Sequence, residues 1–102
     1  MLHISNMTSP HSGREVANQF IIEQGAKTMF QSYNSPIVEI DIEEKMITVY
    51  PHWDYSVTTS KYRNQFMREN GFCDMADKKG FANAMKEGKT QRGWNEYTVK
   101  VA

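Results

Sequence analysis

The sequence has 102 residues, of which 39% are hydrophobic and 12% aromatic, enough for one small core and too few for two. Twelve basic and twelve acidic side chains cancel to zero net charge, which excludes a histone-like polycation and an outright polyanion. The single cysteine, Cys73, leaves no partner for an internal disulfide or a multi-cysteine zinc site.

The opening MLHISNMTSPHSGREV lacks the basic flank and apolar stretch of a signal peptide, and no apolar run approaches the ~20 residues of a membrane span. A soluble cytoplasmic domain is the expectation. Residues 1–16, rich in Ser, Thr, Asn and His, read as an irregular N-terminal arm, with residues 17–102 as a single domain. From Asn18 to Gln24 and again from Thr28 to Tyr33 the chain is β-prone, with a turn at Gly25-Ala26-Lys27. After Pro36, Val38, Ile40 and Ile42 alternate with Glu39 and Asp41, the period of a strand with one buried face. Glu43-Glu44-Lys45 makes a polar turn, and Met46 to Tyr50 returns with Ile47 and Val49 inward.

Beyond Pro51 the period changes to that of a helix. Thr59, Tyr62 and Phe66 share one face, while Lys61, Asn64 and Arg68 lie on the opposite one. Ser56, Thr58 and Thr59 carry hydroxyls suited to cap its start, Asp54 suits the positive end of the dipole, and Gly71 ends the helix near Asn70. A second helix is predicted from about Asp77 to Glu87, with Gly80 inside it and Gly88 past its end. Asn95 to Val101 alternates again as a terminal strand. The fold class is α+β: a four- to five-stranded antiparallel sheet with two helices packed on one face, in the order β-β-β-β-α-α-β.

His3, His11, His52 and Cys73 stand at no spacing used by zinc sites, so no metal and no cofactor are expected. Cys73 reads as an inert thiol. Glu43-Glu44-Lys45 contains the Glu-x-Lys element of one class of metal-dependent nucleases, but its place in a tight turn suits a solvated charge cluster. No phosphate loop or nucleophile elbow is present, and a non-enzymatic protein is expected.

Charge is unevenly spread. Residues 1–60 hold three basic and seven acidic side chains, and residues 61–102 hold nine basic and five acidic. Lys61, Asn64 and Arg68 on one helix face, with Lys78 and Lys79 beyond, offer a basic surface for a partner. With aromatic neighbours such a surface can hold phosphates and stack bases, so nucleic-acid binding through the basic half is the alternative to protein binding.

Three stretches, Thr8 to Phe20, Phe30-Gln-Ser-Tyr-Asn-Ser and Trp53-Asp-Tyr-Ser-Val-Thr-Thr-Ser-Lys-Tyr-Arg, together resemble a family of small bacteriophage and prophage proteins of unassigned function. The resemblance spans roughly residues 8–70, and WDYS-x-TT is its most specific part. It implies an accessory protein made in the cytoplasm of an infected bacterium. Proteins of this kind often bind and inhibit a host protein, CRISPR-type defence components included. The resemblance assigns no catalytic residues and no oligomeric state.

The WDYS-x-TT corner has two physical readings. In one, Trp53 and Tyr55 close an end of the core while Asp54, Ser56, Thr58 and Thr59 satisfy the amides that open the helix. In the other, Gln31, Ser32, Asp54 and Thr59 line a binding pocket.

Overall fold

The alternating apolar residues on either side of Glu43-Glu44-Lys45 pair as a hairpin in the computed structural model, which describes residues 1–102. Its strands are β4 (Ser35–Asp41) and β5 (Met46–Val49). Asp41 Oδ1 accepts the backbone N–H groups of Glu43 and Glu44 at 3.1 and 3.0 Å, and Lys45 takes the left-handed conformation that closes the turn. Ile42, expected inward, is 52% exposed because the strand ends before it and the turn begins there.

Before this hairpin come β1 (Leu2–Thr8), β2 (Glu15–Gln24) and β3 (Lys27–Ser32). After it come α1 (Val57–Glu69), a 3-10 turn at Cys73–Met75, α2 (Lys78–Glu87), β6 (Lys89–Arg92) and β7 (Asn95–Val101). The class is α+β as expected, but the sheet has seven strands, not four or five, in the order β1-β2-β3-β4-β5-β7-β6. All neighbours run antiparallel except β5 and β7, which are parallel. Residues 1–16 are not an irregular arm: β1 pairs with β2 from Leu2↔Gln24 to Asn6↔Phe20 and slips register before Thr8↔Glu15. Only Met7 of this strand is buried, so the usual inward signal is missing.

The register sets Ile21, Phe30, Val38 and Val49 in one row and Ile40, Ile47 and Val99 in the next. This face joins Tyr62, Phe66 and Met67 of α1 and Phe81 and Ala84 of α2 in one core, so both helices cover the same side of the sheet. Phe30 stacks on Phe66 with centroids 5.8 Å apart, and Phe72 meets Tyr97 edge-on at 4.9 Å. Between Phe30↔Val38 and Gln31↔Pro36 the ladder slips, leaving Ile37 unpaired, and both Ile37 and Val38 are fully buried. That bulge lies at the start of β4. Asn70 caps the C-terminus of α1 and Gly71 follows at φ 88°, a conformation that glycine adopts without strain. No helix is long and apolar enough to cross a membrane.

Candidate functional site

The start of α1 is the place where most of the sequence-predicted corner residues meet. Ser56 is the N-cap: its backbone is extended and its Oγ accepts the Thr59 N–H at 3.1 Å. The Ser56 hydroxyl donates in turn to Thr59 Oγ1 at 3.1 Å. Thr59 is then free to direct its own proton at Ser32 Oγ, 2.9 Å away on β3. Ser32 and Thr59 are both buried, so this chain of hydroxyls ties the sheet to the first turn of the helix. Neither Asp54 nor Thr58 caps α1. Thr58 is exposed, and Asp54 instead forms an ion pair with Lys78 at 3.1 Å, joining the loop before α1 to the first turn of α2.

Gln31 does not join the corner. Strand alternation places it on the opposite sheet face from Ser32, and its amide donates to the Tyr33 carbonyl at 2.9 Å. Trp53 does close an end of the core, stacking on Phe81 with centroids 5.3 Å apart. Tyr55 does not: it is 72% exposed and touches only His52 edge-on among the aromatics.

Two depressions adjoin on this corner and share Ser56. The first, about 580 Å³, lies between the β3–β4 turn and α1 and is lined by Ser32, Tyr33, Asn34, Ser35, Ile37, Tyr55, Ser56, Thr58 and Thr59. The second, shallower and about 590 Å³, is lined by Asp54, Ser56, Val57, Ser60, Lys61, Asn64 and Lys78. Lys61, Asn64 and Lys78 of the proposed basic surface thus come together, with Asp54 among them. Arg68 and Lys79 are exposed but lie outside this depression.

One residue of this region went unrecognised in the sequence. Arg63 is fully buried, donating from Nη1 to the Trp53 carbonyl at 2.7 Å and from Nη2 to Asn64 Oδ1 at 2.8 Å. Its guanidinium lies 4.7 Å from the Phe81 ring centroid and 5.3 Å from that of Trp53. Burial lowers its pKa from the ordinary arginine value, and the nearby charges of Asp54 and Asp77 act in the opposite sense. Arg63 therefore clamps the Trp53 loop onto both helices. The signal lay in its spacing: it stands four residues after Thr59 and three before Phe66, on the face that those two residues share.

Hydroxyls aligned by hydrogen bonds, two exposed tyrosines and a helix start make a surface that can recognise a partner by shape and hydrogen bonding. No curated protein and no solved structure matches the chain. A family model described as a family of unknown function, DUF8033, matches residues 3–83, from β1 into α2, and the chain belongs to that family.

Proposed function

We propose that this chain is a small phage accessory protein that binds and inhibits a protein of its bacterial host, through the corner at the start of α1. The observation that carries the binding role is the set of large side chains left in solvent around the hydroxyl-lined cleft. Tyr33 is 54% exposed, Tyr55 72% and Val57 88%, beside the Lys61–Asn64–Lys78 depression. Exposed aromatic anchors set in a polar rim are the composition of protein-binding hot spots. The phage context, the host cytoplasm as the place of action and a CRISPR-type defence component as one class of target rest on the resemblance of the WDYS-x-TT stretch. The chain acts by occupying a surface of its target rather than by chemistry on it.

The test uses the whole chain as bait in bacterial lysate, alongside Tyr55→Ala and Val57→Glu, followed by titration with the purified protein recovered and an assay of that protein's activity. One host protein should be captured by the wild type, bound directly and inhibited, with binding weakened at least tenfold by both substitutions. Equal binding by all three, or no specific partner, overturns the reading.

Nucleic-acid binding is the second reading, favoured by the convergence of Lys61 and Lys78 with Asn64 on one depression. It predicts an affinity for DNA or RNA that falls steeply with salt, and Lys61→Ala should lower that salt slope by about one. Absent or salt-insensitive binding removes it.

A further inference from the structure

The two edges of the sheet differ in kind. β6 is four residues long and carries exposed Lys89 and Arg92, cations of the sort that keep an edge from pairing. A twofold pairing of β6 with its own copy over the full length of the strand sets Lys89 against Arg92, a like-charge contact. β1 is seven residues long, contains no Asp, Glu, Lys, Arg or Pro, and leaves Leu2 and Ile4 53% and 56% exposed. Alternate N–H and C=O groups along its outer side have no strand to meet.

We propose that β1 is the seam of a homodimer in which two copies pair antiparallel about a twofold axis through Ile4. The register follows from the strand itself. Its regular run is Leu2 to Asn6, bounded by the slip before Thr8, and Ile4 is the middle of that run. Centring there sets Leu2 opposite Asn6, His3 opposite Ser5 and Ile4 opposite its own copy. No charged pair is opposed. Ile4 faces Ile22 across β2, and Ile22 faces Met29 across β3, on the sheet face that the helices leave uncovered. The seam joins this row of three to its copy as one continuous apolar ladder across six strands. An antiparallel self-pairing is isologous and closes at two copies, leaving β6, with its cations, as the outer edge on both sides. This interface lies on different elements from the α1 corner and is independent of the function proposed above.

The test combines sedimentation over the micromolar range with site-directed cross-linking of the full chain. Opposed Cα atoms across such a seam stand about 4.5–5.5 Å apart, within the span that a disulfide bridges. Because Cys73 is exposed and free, the cross-linking is done in a Cys73→Ser background. Under mild oxidation Ile4→Cys should form a covalent dimer while Gln91→Cys on β6 stays monomeric. Ile4→Lys should raise the dimer dissociation constant at least tenfold with unchanged circular dichroism. A wild type that is monomeric throughout, a dimer indifferent to Ile4→Lys, or equal cross-linking at positions 4 and 91 overturns the proposal.

Discussion

Thr59 illustrates how a single side chain on α1 serves two elements at once. Its N–H is taken by the Ser56 cap, while its hydroxyl links Ser56 to Ser32 on β3 in a buried position. Removing the hydroxyl strands Ser32 without a partner as well as deleting a bond, so Thr59→Ala should cost about 1–3 kcal/mol. Ser56→Ala removes the cap and should cost about 0.5–2 kcal/mol. At this chain length each kcal/mol lowers Tm by roughly 4–8 °C, so thermal melts resolve both variants. Thr58→Ala, an exposed neighbour in the same motif, should melt within about 0.5 kcal/mol of wild type. If Thr58→Ala were as damaging as Ser56→Ala, the cap assignment would fail. Arg63 sets a stronger condition. Arg63→Ala leaves the Trp53 carbonyl without its donor and a cavity beside the stacked Trp53 and Phe81 rings, and should cost about 2–5 kcal/mol in urea unfolding. Asp54 gives a pH signature. The hydrogen bond from Lys78, followed by its charge, holds the Asp54 carboxyl below the usual carboxylate value. Folding thus favours its ionised form, and this contribution is full above about pH 4 and lost as pH falls through the lowered value. Asp54→Asn should flatten that part of the acid limb by lowering stability toward neutral pH, while leaving it little changed below the lowered value, where Asp54 is already protonated. Melts between pH 2 and 7 on the order of one unit apart make the comparison.

Gly80 shows an element accepting a poor helix former for a tertiary reason. A Cβ at this position would overlap the backbone carbonyl oxygen of Asp74, which belongs to the turn packed against α2, and would crowd Asp77 Oδ1 at 3.1 Å. Asp77 is the N-cap of α2, and its Oδ1 accepts the Gly80 N–H at 2.7 Å. Helix propensity alone says Gly80→Ala should stabilise by up to about 1 kcal/mol. The contact reverses the sign: the substitution should destabilise by about 1–3 kcal/mol, because backbone cannot yield as a flexible side chain does. A rise in Tm would refute the close approach. The boundaries of α1 and α2, the β4–β5 hairpin and the alternation of β7 were legible because each buries a periodic set of apolar residues. β1 and β6 were not. In β1 the large apolar residues Leu2 and Ile4 face solvent, and β6 buries only Thr90 among Lys89, Gln91 and Arg92. Both are edges whose pairing is decided by a neighbour rather than by their own pattern. Ile37 was missed for a related reason, since a bulge breaks the two-residue period on which strand reading depends. In the candidate site, the hydroxyls near Ser56 were legible as a helix start, whereas Lys78 meeting Asp54 required the fold of α2 over α1.

The whole molecule depends on a contact that no local pattern announces. β7 does not extend the meander at its free end in chain order. It enters between β5 and β6, parallel to β5, after the chain has passed through both helices. Such a connection closes late, because non-local pairing must offset the loop entropy of everything between the strands. Ile47 and Val49 of β5 meet Val99 and Val101 of β7, and Tyr97 reaches back to Phe72 at the end of α1. Residues 89–101 therefore complete the core on which the rest relies, although they lie beyond residues 3–83 matched by the family. Removing them would leave β5, with Ile47 and Val49, as an apolar edge strand, and would expose Phe72. A chain ended after Gly88 should lose its cooperative transition and self-associate, while the full chain unfolds in one step by both circular dichroism and tryptophan fluorescence. Tyr97→Ala tests the same dependence without truncation. Losing a buried aromatic should lower stability by about 3–5 kcal/mol, a large share of what a domain of this size holds. A truncated chain that still melted cooperatively, at a temperature close to that of the full chain, would show that the meander and helices fold as a unit without β7. The parallel strand would then be an appendage rather than the closure of the core.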